Sequence, residues 1–252
     1  MSGHSKWSTI KRKKGAADAK RGAVFTRLGR ELAIAAREGG PDPDSNFKLR
    51  LVVDKAKACN MPRENIERAI RRGAGLDKDA AAYEEVMYEG YGAHGVAMLV
   101  QVLTDNRNRA VADVRRAFSR HGGNMAEAGA VAWGFEQRGY ISFEREGRSD
   151  DDILELTIEA GADDVEMGEE DIEVYTEPHV LHAVGQALQG AGITLTEIAL
   201  IMKPKILINL DPKESMSVMG LVDALEELDD VQQVYSNLDI SDEALAQYSE
   251  AA

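Results

Sequence analysis

Residues 139–202 read GYISFEREGRSDDDILELTIEAGADDVEMGEEDIEVYTEPHVLHAVGQALQGAGITLTEIALIM. Two patterns alternate in this stretch. Residues 139–144, 171–176 and 195–202 are short runs rich in apolar, β-branched and aromatic residues and read as strands. Apolar residues over 151–160 and 178–189 recur at three and four, the spacing of helices packed on one face. Ser149 precedes three acids, Asp150 to Asp152, which suits a helix cap with acids in the first turn. A further short strand is predicted near 163–166. The order is therefore βαββαβ, the ferredoxin-like arrangement.

Working outward, neither flank is complete. Before the stretch come predicted strands at 83–89 and 95–103, a helix over 106–121 with Val111, Val114 and Phe118 inward, and a strand at 129–136. After it come a strand at 205–210, a helix with Val218, Leu221, Leu225 and Leu228 inward, and a strand at 231–236. A chain can leave a domain and return to it when its ends lie close. The two halves, 77–136 and 204–240, are thus expected to form one discontinuous α+β domain, with 137–203 inserted in it and 241–252 as an acidic tail.

Residues 1–76 differ in kind. Phe25, Leu28, Leu32 and Ala35 form one helical stripe that ends at Gly39-Gly40. Leu49, Val52, Ala56 and Cys59 form a second, after the start signal Asp42-Pro43-Asp44-Ser45. Ile66, Ala69 and Ile70 form a third, with Pro62 in the first turn and Gly73 as the stop. Three short amphipathic helices must bury their stripes on one another. Cys59 reads as a small core side chain. The fold class is α+β and multidomain: an N-terminal helical bundle, then two α+β (ferredoxin-like) domains, one inserted in the other.

Charge separates these regions. The 252-residue chain has formal charge −14. Residues 1–75 hold 18 Lys/Arg and 8 Asp/Glu, net +10, and residues 76–252 hold 12 and 36, net −24. No acid precedes Asp18, whereas Lys6, Lys11, Arg12, Lys13 and Lys14 are already in place around Trp7. Such an arm contacts phosphates and releases counterions on binding, and Trp7 offers a face for an unpaired base. Lys20, Arg21 and Arg27 continue the basic surface onto the first helix. The bland reading is a solvated tail. The charge pattern points to nucleic acid as partner and does not choose between DNA and RNA.

Other motifs carry less. GYGAHG (90–95) matches G-x-G-x-x-G, but a strand follows it where a dinucleotide site needs a helix N-terminus, so it reads as a hairpin loop. Arg109, Arg116 and Arg120 lie opposite Val111, Val114 and Phe118 and make a second basic strip, or an ordinary salt-bridged face. His179 and His182 lack a third metal ligand, and the acids of 163–173 lack the calcium-loop order. No nucleophile, acid–base pair, metal site or cofactor is proposed, so the chain is not expected to be an enzyme. One cysteine excludes internal disulfides. No stretch is long and apolar enough for a membrane span, and the basic N-terminus has no apolar run after it. A cytoplasmic protein is expected.

GHSKWSTIKRKKGAADAKRGAVFTRLGREL (3–32), GGPDPDSNFKLR (39–50), NMPRENIERAIRRGAG (60–75), YEGYGAHGVAMLVQVLTDNRNR (88–109) and HGGN (121–124) resemble the YebC/PmpR family over nearly the whole chain. Ser8-Thr9 and Arg12-Lys13-Lys14 stand where the family block has slightly different residues, with the basic character kept. The resemblance implies three domains, one helical and two α+β. It implies a DNA-binding transcriptional regulator, or, after other relatives, a ribosome-associated translation factor that assists difficult sequences and contacts ribosomal RNA.

Overall fold

The computed structural model describes residues 21–76, 83–168 and 171–251. It opens with three helices, α1 (Arg21–Gly39), α2 (Phe47–Ala58) and α3 (Arg63–Gly73). Their stripes meet as the sequence predicts: Leu28, Leu32 and Ala35 of α1, Leu49 and Ala56 of α2, and Ile66 of α3 are buried in one cluster. Asn46 joins α1 to α2. Its Oδ1 accepts the Leu49 N–H at 3.1 Å, and its Nδ2 donates to the carbonyls of Ala35 and Gly40 at 2.7 and 2.8 Å. One amide thus caps the starting helix and satisfies the end of the finished one.

Two expectations for this bundle are corrected. Cys59 is exposed. Helix α2 ends at Ala58, the backbone turns through Asn60 at φ 57°, and Met61 takes the buried place. Pro62 is the residue before α3 rather than part of its first turn.

The chain then forms β1 (Glu84–Tyr91), β2 (Ala97–Thr104), α4 (Arg107–Arg120) and β3 (Asn124–Ala126). Next come β4 (Phe135–Glu144), α5 (Asp150–Ala160), β5 (Asp164–Met167), β6 (Asp171–Thr176), α6 (Leu181–Gly190) and β7 (Leu195–Pro204). Last are β8 (Ile208–Asn209), α7 (Pro212–Glu226), β9 (Val231–Ser236), β10 (Leu238–Asp239) and α8 (Asp242–Ala251).

Strands β5-β6-β4-β7 make one antiparallel sheet, in that order. Counted from β4, this is the ferredoxin-like arrangement. Helices α5 and α6 cover one face, burying Ile141, Phe143, Ile153, Val174, Leu181 and Val184. Strands β3-β1-β2-β9 make a second antiparallel sheet. Helices α4, α7 and α8 cover one face of it around Val100, Val114, Phe118, Leu221 and Leu225. This sheet shares the helix-backed plan but not the strand order, because the β1–β2 hairpin lies at its centre. A small cluster of Leu99, Val131 and Phe135, with Met202 and Tyr235 packed on it, joins the two sheets.

GYGAHG is the β1–β2 hairpin, closed by Gly92 N–H donating to Val96 C=O at 2.8 Å. His94 and Gly95 take positive φ there. Three other strand and tail expectations change. Residues 129–134 are not strand, because the N–H groups of Gly129, Val131 and Ala132 go to a side chain described below and those of Ala130 and Gly134 to nearby carbonyls; β4 starts at Phe135. The strand expected at 205–210 shrinks to β8, which pairs in parallel with β10. The acidic stretch 241–252 holds α8, whose Ala244 and Leu245 are buried against the second sheet's core while Tyr248 Oη donates to Asp223 at 2.6 Å. The acidic composition of this stretch hides an amphipathic helix with two apolar anchors. No described helix is long and apolar enough to cross a membrane.

Candidate nucleic-acid interface

Lys6, Trp7, Lys11, Arg12, Lys13, Lys14 and Lys20 lie outside the described residues. Arg21 is the first described residue and opens α1. Arg27 is half-buried, and its Nη2 donates to the Glu226 carbonyl at 2.7 Å. One turn on, Arg30 donates to the Asp229 carbonyl and pairs with Asp230 at 2.9 Å. Both guanidiniums therefore sit where α7 ends and its last carbonyls lack helical partners, a place that favours cations.

Asp230 is the centre of this junction. It is buried and also accepts from Thr104 Oγ1 at 3.0 Å and from Arg109 Nη2 at 2.8 Å. Arg109 reaches Asp105 as well, at 3.1 Å. The hydrogen bond and charge of Asp230 raise the affinity of Arg109 for its proton. Two arginines from separate helices thus share one buried carboxylate, which also holds β2 to the turn before β9. Of the strip read from the sequence, Arg109 is committed to this junction, Arg116 pairs with Asp113 at 3.4 Å, and Arg120 is exposed. Arg68 and Arg71 of α3 are exposed too, with no ion pair among the described residues.

Sequence reasoning missed Arg30 and Asp230, which look like ordinary surface residues until α1 is laid against α7. It also missed Glu89 and Trp133. Glu89 on β1 is buried and accepts three backbone N–H groups, from Gly129 at 2.6 Å, Val131 at 2.7 Å and Ala132 at 2.9 Å. Burial opposes its charge, but the three donors outweigh burial and hold the carboxyl below its ordinary value. The pinned loop carries Trp133, 69% exposed. Among the described residues no group of three His, Cys, Asp or Glu is placed to hold a metal ion.

A basic helical bundle held by arginines to a helix-backed antiparallel sheet, with a ferredoxin-like unit set into that sheet's chain, defines a three-part α+β class. The comparisons fall within it. The family model described as "TACO1/YebC protein N-terminal domain" matches residues 5–76, and "TACO1/YebC second and third domain" matches residues 83–238. A "probable transcriptional regulatory protein" of Rubrobacter xylanophilus is 51% identical over 247 residues, 98% of this chain and 99% of its own. One of Desulfosudis oleivorans is 52% identical over 242 residues, 96% and 98%. The crystal structure of a conserved hypothetical protein of Aquifex aeolicus superposes with a TM-score of 0.83 at 44% identity, covering 89% of this chain and 93% of that one. The chain belongs to the TACO1/YebC family.

Proposed function

We propose that this protein is a DNA-binding transcriptional regulator that grips nucleic acid through its basic arm and helical bundle. It acts in the cytoplasm and is not an enzyme. The observation that carries the reading is the charge division, net +10 over residues 1–75 against net −24 over the rest. The acidic remainder repels a polyanion overall, so the strongest contacts are expected from the N-terminal part. Lys6, Lys11, Arg12, Lys13, Lys14, Lys20 and Arg21 contact phosphates, Trp7 stacks, and Arg116 and Arg120 extend the surface. Arg27 and Arg109 hold the bundle to the sheet domain and contribute charge from there. The relatives' name, probable transcriptional regulatory protein, supports the same reading.

The test is binding against salt. Neutralising about six phosphates gives a slope of log K on log salt of roughly −5 on duplex DNA. Replacing Arg12, Lys13 and Lys14 together by Ala reduces that slope by about 2–3 and weakens all sequences alike. An unchanged slope removes the arm from the interface. A second reading, a ribosome-associated translation factor on ribosomal RNA, uses the same cations, because phosphate contacts carry no base information. Crosslinking in cells separates the two: promoter DNA supports the first and ribosomal RNA the second.

A further inference from the structure

We propose that Trp133 is a second stacking platform, which takes one unpaired base of a single-stranded nucleic acid while Lys205 meets the adjoining phosphate. The proposal rests on the nucleic-acid reading above. The indole is 69% exposed, yet its support is fixed from below. Glu89 holds the N–H groups on both sides of Ala130, and Tyr91 Oη donates to Ala130 C=O at 3.2 Å. Trp133 Nε1 donates to the same carbonyl at 3.0 Å.

That last bond decides the kind of partner. A tryptophan that anchors a protein interface commonly gives its N–H to the partner. Here the N–H is already spent inside the loop, and what the exposed ring has left to offer is aromatic surface, on which every base can stack. The second feature is charge. Lys205 is exposed, and its Nζ donates to Trp133 C=O at 2.8 Å, so an ammonium stands at the backbone of the residue that carries the ring. Of the acids close in sequence or bonded to the loop, Glu136 is occupied by Arg138 at 3.0 Å and Glu89 by its three donors, while Glu127, whose carbonyl accepts the Ala130 N–H at 3.1 Å, is exposed. An aromatic face and one cation match a base and its phosphate.

The chain has two tryptophans. In the W7F protein, emission therefore reports Trp133 alone. Titration with a thymidine oligonucleotide of about 16 nucleotides quenches that emission, and the matching duplex does not. Trp133→Ala, made in the same background, weakens single-strand binding about 5- to 100-fold, leaves duplex binding within about twofold, and keeps the salt slope. Trp133→Phe keeps most of the affinity and controls for any disturbance of the loop, with circular dichroism as the folding check. Equal single-strand affinity in the Ala variant overturns the proposal. So does self-association that the Ala variant abolishes, since the ring then serves a second copy. Absence of binding to either nucleic acid by the wild-type chain overturns the proposed function as well, which keeps the two failures apart.

Discussion

Glu89 shows how one buried carboxylate can shape a surface feature. Three N–H groups that would otherwise extend β4 backwards are gathered onto its two oxygens, and residues 129–134 become a tight loop instead of a strand. Glu89→Gln replaces one acceptor oxygen by an NH2 that faces those donors, and costs about 2–3 kcal/mol. Thermal unfolding of the variant checks this; an unchanged midpoint refutes the clamp. The pH dependence follows from the direction of the shift. The folded pKa lies below the unfolded one, so the stabilisation is present above the ordinary glutamate value. It declines as pH falls below that value and is gone once pH has fallen through the depressed folded value. Amide exchange at Gly129, Val131 and Ala132 is expected to stay slow through the ordinary range of glutamate titration and to speed up below it. Asp230 is the comparable residue at the junction. Asp230→Ala leaves the buried Arg30 without its counterion and costs about 3–5 kcal/mol. Proteolysis between bundle and sheet domain reads the loosening directly.

At the scale of elements, periodicity located the helices and most strands well, and it failed where something other than periodicity decides. Phe25, Leu28, Leu32 and Ala35 marked α1, and residues 231–236 marked β9, because a stripe or an alternation is a direct imprint of one buried face. Residues 129–136 alternate too, yet a distant glutamate removes their backbone donors, and no local pattern can announce that. The glycines teach the same lesson. Gly73 looked like a helix stop, but a Cβ there would overlap the Ala33 carbonyl, so the residue is what lets α3 lie against the backbone of α1. Gly90 does the same for the Phe118 ring, which a Cβ would approach to 2.7 Å. Gly73→Ala therefore pushes two helices apart and costs about 1–3 kcal/mol, with loss of bundle helicity on mild heating. A variant as stable as the parent means that the helices re-pack without a close approach. The candidate interface was legible to the degree that charge is legible. The cation-rich arm and the strip of α4 stand out in composition, whereas Arg30, Asp230, Glu89 and Trp133 acquire meaning only from contacts far apart in sequence.

For the whole molecule, the question is whether the ferredoxin-like unit is an independent insert. We propose that it is, on the geometry of its ends. Strand β4 begins and β7 finishes side by side, with Phe135 opposite Pro204 and Glu136 opposite Lys203. Paired antiparallel residues stand about 4.5–5.5 Å apart, so a linker of a few residues can replace everything between them. The core of the insert uses only its own residues, and the second sheet's core uses none of them. What the two share is the cluster around Leu99, Val131 and Phe135, to which the insert adds Met202. Excision of 137–203 keeps Phe135 and gives up Met202, exposing one side of that cluster without opening either core. The remainder is expected to unfold cooperatively at a somewhat lower temperature, and to keep the junction of Arg30, Asp230 and Arg109, none of which the excision touches. It is also expected to keep the salt slope of the full chain on duplex DNA, because the arm and bundle are intact. A remainder that melts without cooperativity would show that the insert completes the second sheet's fold, and would make the two α+β parts one folding unit.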